Sequence, residues 1–509
     1  MSEVSLGQLW LVENLKLDCL LPPTRSFCGN YARRTFKEDG ITIERYGKSY
    51  LPDDSVVGHL KFALKNEPLD MSVIAATFSV VDPYELEEWI RKEPTGAYSR
   101  RAWFLYEWFT GCELDIKNAQ NLTYVDALDQ RLNVCSAPIS SQRHCVRDNM
   151  LGVPGFCLTV RLTPEIEKFR ASEVDRKAFD LLQEIDPALL ERAVSYLYTK
   201  ETKSSFEIER EEATGQKAER FMAALRNTAS FDPTMKKDLV ALQNIIVDQR
   251  YRDLDFRDNQ NFVSQSIGPG YEKVHFVSPK PEDISSLMAD WAAMSNRLRG
   301  APDTVTAAAV VAFSFVFLHP FEDGNGRIHR FLIHHILSRE GFTPPDVLFP
   351  VSAAIVRDER GYDDALNSFS KPLLERIEWN WEEGGITVTG KTDHMYRYFD
   401  ATDVTEFLEA KIEDTIEYDL KEELIYVAVY DQAYRELQDI VDMPNRRTNL
   451  LLTLCLQNKG PLSKRKRVLF PELTDNEISR IGDAVKNAIM ENSIDRESDA
   501  SAETKSSSP

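Results

Sequence analysis

Residues 305–318 read VTAAAVVAFSFVFL. A stretch this apolar on every side cannot lie on a protein surface as a helix with one wet face. It is also too short to cross a bilayer, which takes about 20 residues. It therefore reads as a helix buried on all sides, and other elements must surround it. The chain can supply them. With 509 residues and 42% apolar content it has length for two to four domains and at least one full core.

The bulk properties exclude some functions. The net charge is −21, which argues against a chain whose main task is to coat nucleic acid or an anionic membrane. The opening MSEVSLGQLWLVENL lacks the basic start, apolar core and small-residue cleavage site of a signal peptide. The seven cysteines are scattered, odd in number and free of C-x-x-C, so reduced thiols in a cytoplasm are expected. Cys135, His144, Cys145 and Cys157 match no common zinc spacing, and the three cysteines read as packed or partly buried thiols.

The pattern divides the chain into four parts. Residues 1–175 form an α+β extension, with a strand in DGITIERYG and helices in VDPYELEEWIRKE and SRRAWFLYEWFTG. Its basic cluster TRSFCGNYARRTFKEDG reads as a solvated face. Residues 176–394 are mainly helical, broken by NFVSQSIGPGYEKVHFVSP, where two β-prone runs flank Gly268-Pro269-Gly270 and predict a hairpin. Residues 395–494 predict a helical module, open to a winged-helix reading, whose run SKRKR is a solvated loop. The polar residues 495–509 predict a disordered tail.

The chemistry gathers directly after the apolar helix, in HPFEDGNGRIHR, residues 319–330. Gly324, Asn325 and Gly326 form a turn at the start of a second helix, where exposed amides and the helix dipole favour an anion. Arg327 and Arg330 lie about one turn apart and can flank the same anion. Asp323 is the nearest hard oxygen ligand for Mg²⁺, the usual companion of a di- or triphosphate. His319 closes the first helix and offers a neutral imidazole as a base. A base, a metal ligand, a phosphate cradle and two cations together describe attack by a hydroxyl on a nucleotide phosphate. No G-x-x-x-x-G-K-[ST] is present, so the site is not a Walker P-loop.

At every defined position this stretch resembles the Fic motif, HPFx(D/E)GN(G/K)RxxR, and the resemblance extends over roughly residues 180–390. It implies a mainly α, Fic-fold core with a β-hairpin flap, set between the N-terminal extension and the C-terminal helical module. The activity implied is transfer of AMP from ATP, with Mg²⁺, to a Tyr, Thr or Ser hydroxyl of a target protein or of the chain itself. On that resemblance His319 is the base and Asp323 holds the metal. Gly324, Asn325 and Gly326 form the anion hole. Arg327 contacts the phosphates and Arg330 grips the γ-phosphate. Gly326 is the form found in AMP transferases, where target-phosphorylating variants have Lys. Phe262, Val263, Ser264 and Gln265 would line the flap that receives the target by strand addition. Tyr362, in LFPVSAAIVRDERGYDDALNSFS, would lie near the adenine.

The family is often held inactive by a helix carrying [S/T]-x-x-x-E-[G/N]. Here KSSFEIERE, within a helix expected near 202–213, places Ser205 and Glu209 four apart on one face. Glu209 would reach Arg330 and occupy the place of the γ-phosphate. Arg210 stands where Gly or Asn is usual, and its bulk would alter how closely the helix approaches. His329, His334 and His335 read as packing residues. Removal of AMP, transfer of another nucleotide or phosphate group, and ATP sensing without turnover are the alternative functions. The partner would be a protein substrate, with no membrane and no nucleic acid, and the family's use of dimers leaves a homodimer open.

Overall fold

The structure, a computed structural model, describes residues 3–503 apart from 39, 184, 214, 269, 270, 383 and 384. Its centre is the apolar helix Thr304–Leu318, every residue of which is buried from Val305 to Phe315. The Asp303 carboxylate starts it by accepting the Thr306 amide at 2.9 Å. His319 ends it in the left-handed region, φ 49°, and Pro320 cannot continue it. Each fully buried Val or Phe contributes about 1.5–3 kcal/mol, so this helix anchors its domain. Two helices pack on it: Pro281–Arg297, whose Trp291 indole donates to the Val311 carbonyl at 3.1 Å, and Asn325–Arg339, which carries the arginines.

The chain forms two units. The first comprises Met1–Asp175, Thr202–Pro345 and Val351–Ile412. The N-terminal extension is therefore part of the unit that holds the HPFEDGNGRIHR loop. It begins with a four-stranded sheet in which Thr24–Gly29 and Ile41–Gly47 run parallel at the centre, with Val4–Leu6 and Arg34–Glu38 at the edges. The two predicted helices are present as Pro83–Lys92 and Ala97–Thr110, and Gly111 closes the second at φ 66°. The extension docks through main-chain and ionic contacts. Thr159 N donates to Phe399 O at 3.1 Å, Arg161 pairs with Asp400 at 2.9 Å, and Arg297 donates to Ala137 O at 2.7 Å. His144 belongs to a local network here, with Nδ1 on Ser141 Oγ at 2.7 Å and Nε2 on Glu107 at 2.9 Å.

The second unit comprises Arg176–Glu201, Asp346–Pro350 and Glu413–Pro509. Helices Lys421–Ile440, Asn445–Gln457 and Asp475–Glu503 enclose Leu437, Leu451, Leu452, Phe470 and Val485. Among the described residues no strand follows Val388, so the module is helical without a wing. The SKRKR run sits between helices, with Lys466 on Gln457 at 3.1 Å and Arg467 on Asp475. The last helix continues past residue 495 to Glu503, through the start of the expected tail. Residues 504–509 lie outside those described.

Candidate active site

The left-handed cap turns the His319 ring toward the start of the next helix. Its Nδ1 lies 3.2 Å from the Val316 carbonyl. Only an N–H can make that bond, so in the neutral ring Nε2 keeps its lone pair and is the nitrogen able to accept a proton. Burial lowers the imidazole pKa to about 4, and the nearby Arg257 charge adds to the effect. The ring is therefore neutral at physiological pH.

The loop after His319 is closed by Asn325. Its Oδ1 accepts the Phe321 amide at 3.1 Å and its Nδ2 donates to the Phe321 carbonyl at 2.7 Å. These two bonds use the side chain to hold the turn. Gly324 sits at φ 93°, where a side chain would be strained. Asp323 Oδ1 accepts from the Gly324 amide at 2.6 Å and from Arg327 at 2.9 Å. The Asp323 side chain is 44% exposed, so a hydrated cation can approach it.

Arg330 is 1% exposed and bound to the segment around Ser205. It donates to Ser205 Oγ at 2.9 Å, to Ser205 O at 2.7 Å and to Glu209 Oε1 at 2.8 Å. Burial raises the Glu209 pKa, but Arg330, then Arg327 and His319, outweigh it and hold the carboxyl below its ordinary value. Its position is marked by Gly326: a Cβ there would meet Glu209 Oε1 at 2.2 Å. The carboxylate thus fills the space directly above the turn.

The helix carrying Ser205 ends at Ile208. Arg210 N donates to Glu207 O at 2.8 Å and Glu211 N to Phe206 O at 3.0 Å, the paired closure of a Schellman turn, with Arg210 in the left-handed position at φ 56°. The departure at 210 thus puts an arginine in a backbone conformation that Gly or Asn adopts more readily. The turn redirects the chain so that Glu211 Oε2 accepts from Arg327 at 3.0 Å and from Lys217 as well.

Tyr362 is buried beside His329, rings 6.3 Å apart and nearly parallel, and hydrogen-bonds Arg330. His329 and His335 are buried packing residues, as their positions predict. The hairpin pairs Phe262–Gly268 with Tyr271–Val277, with irregular register after Val263 and after Ser266. Pro269 and Gly270 of its expected turn lie outside the described residues. It is a two-stranded sheet, so among the described residues Phe262, Val263, Ser264 and Gln265 lie on a strand with one neighbour. Val263 is exposed, while Phe262 packs edge-on against Trp381 at 5.4 Å.

Residues 231–337 match the family model described as Fic/DOC family. The chain carries a Fic domain. A protein adenylyltransferase Fic of Nematostella vectensis is 33% identical over 115 residues, 22% of each chain. One of Drosophila willistoni is 33% identical over 93 residues, 18% of this chain and 16% of its own. The chain thus spans less than a quarter of the length of these relatives. A Fic family protein from Desulfovibrio desulfuricans G20 aligns with a TM-score of 0.38 at 18% identity, covering 54% of this chain and 80% of that one.

Three residues of the Fic domain site have no signal in the motif. Glu211 holds Arg327, as above. Gln243 reaches the Asp323 carbonyl at 3.3 Å and Asp253 at 3.0 Å, tying the loop to the helix Lys236–Ile246. Arg257 donates to the His319 carbonyl at 2.8 Å. The site suits a polyphosphate. The cradle above Gly326 already accepts one anionic oxygen, and the Arg327 Nε is buried with no hydrogen-bond partner among the described residues.

Proposed function

We propose that this protein transfers AMP from ATP to a hydroxyl side chain of a protein, and that Glu209 holds the activity down. The observation that carries the reading is the Glu209 carboxylate seated over Gly326 and bound to Arg330, on the ground a phosphate would take. The names of the relatives support it.

Asp323 would hold Mg²⁺, whose charge would offset that developing on the phosphates. His319 Nε2 takes the proton of the incoming hydroxyl as its oxygen bonds to the α-phosphorus. The bond from that phosphorus to the bridging oxygen breaks, and pyrophosphate leaves. The amides of the 324–326 turn and Arg327 offset charge on the oxygens of the transferring group. The unpaired edge of Phe262–Gly268 receives the target main chain. The inhibited state follows from competition: while Arg330 is bound to Glu209 and Ser205, it cannot orient the end of ATP.

Labelled ATP tests the reaction type. Label on the α-phosphorus is expected to appear on protein, and label on the γ-phosphorus is not. The reverse result would assign phosphate transfer.

A further inference from the structure

Arg257 lies outside the catalytic motif, yet it bonds the backbone of the first two motif residues, His319 and Pro320. Its guanidinium is buried, and every hydrogen bond it donates ends on a backbone carbonyl. Nε reaches His319 O at 2.8 Å, NH1 reaches Asn259 O at 2.6 Å, and NH2 reaches Pro279 O at 2.6 Å. Its own amide donates to Pro320 O at 2.9 Å. Asn259 precedes the flap and Pro279 follows it, so one planar group joins both ends of the flap to the residue bearing the base.

Burying a cation is costly. A neutral side chain could fill the same volume without that cost, but it could not satisfy three carbonyls pointing in three directions. The rigid fork of a guanidinium can, and an ammonium cannot reach all three at once. The neighbouring contacts reinforce the same junction: Gln260 Nε2 donates to Ser278 O at 2.8 Å and Ser278 Oγ to Asn261 O at 2.5 Å. His319 also needs an external hold, because a non-glycine residue at positive φ is intrinsically unfavourable.

We propose that Arg257 is a positioning residue: it sets the distance between the strand that receives the target and the imidazole that takes the target's proton. Misplacement of a reacting group by about 1 Å can cost about a hundredfold in rate, and the two flap carbonyls the guanidinium holds place that cost on the target side of the reaction. This inference rests on the reading that the flap receives a target.

The test uses the full chain with Glu209→Gly, and compares Arg257→Lys and Arg257→Met in that background. Both variants are expected to lower kcat/KM for the protein target by between about ten- and a hundredfold, with Lys rescuing little because charge alone does not restore the fork. ATP affinity by calorimetry is expected to stay within about twofold, the scatter of an untouched site. Amide hydrogen exchange is expected to rise across 262–277 and to stay unchanged across 83–110. If both variants only lower the melting temperature while kcat/KM and flap exchange hold, Arg257 is structural and the proposal fails. Equal losses of ATP affinity and target turnover would also overturn it. Should the Glu209→Gly parent transfer no AMP, the functional reading falls by itself. The exchange comparison then decides the clamp separately, with unchanged flap exchange counting against it.

Discussion

At the scale of single residues, the site is governed by a base whose protonation is fixed by its surroundings and by a glycine that leaves room for an anion. His319 is held neutral, with its pKa lowered from 6.5 to about 4. A lowered imidazole pKa means the free base persists as pH falls through the ordinary histidine range and is lost only near the lowered value. In the Glu209→Gly variant, kcat/KM should therefore stay level through pH 6.5 and drop only on approach to about 4. The removed carboxylate was itself raising the His319 pKa, so the variant keeps the same direction. A rate profile that breaks near 6.5 would show an unshifted base. Gly326 is the second test. With a Cβ placed 2.2 Å from Glu209 Oε1, Gly326→Ala should expel the carboxylate and also narrow the cradle. Calorimetry should show weaker ATP binding than in the Glu209→Gly variant. Equal affinity in the two would mean that the nest does not take a phosphate.

At the scale of elements, the inhibitory segment is a helix end whose stability sets how firmly Glu209 sits. Arg210 occupies a left-handed position that costs a non-glycine residue about 1–2 kcal/mol. Arg210→Gly should relieve that cost, raise the melting temperature and lower basal transfer several-fold. An increase in basal transfer would show that the arginine side chain, and not its backbone, matters. Glu211 gives the segment a second hold. Glu211→Gln removes a carboxylate from Arg327, whose side chain is 1% exposed, and should raise basal transfer, adding to the effect of loosening Glu209. The motif and this helix differ in how legible they are. HPFEDGNGRIHR is contiguous, so its chemistry could be read directly. The four-residue spacing put Ser205 and Glu209 on one face, the family resemblance pointed Glu209 at Arg330, and the Ser205 contacts with Arg330 appear only in the fold. The role of Glu211 was hidden among Glu207, Glu209, Glu211 and Glu212, because which of them turns inward depends on the backbone reversal at Arg210. Arg257 was illegible for a deeper reason. Its partners are main-chain carbonyls, which every sequence carries and none advertises. Asn325 shows a third case: it stands within the motif, and the folded site uses its side chain to hold the turn.

At the scale of the molecule, the apolar run at 305–318 foretold a helical core, and that core is present. Less visible was that residues 1–175 share its unit, because the joining contacts are ion pairs and main-chain bonds between residues far apart in sequence, such as Arg161 with Asp400 and Thr159 with Phe399. A chain lacking residues 1–160 should therefore lose cooperative unfolding of the Fic domain, read by calorimetry. An unchanged transition would make the extension dispensable. The central claim, that Glu209 and ATP compete for Arg330, is tested most directly by α-phosphorus-labelled ATP. Transfer should be compared among the wild-type chain, Glu209→Gly, and Glu209→Gly with His319→Ala. The expected result is faint labelling in the first, at least about tenfold more in the second, as loss of one buried ion pair implies, and none in the third. Equal labelling of wild type and Glu209→Gly, or labelling that survives loss of His319, would contradict it.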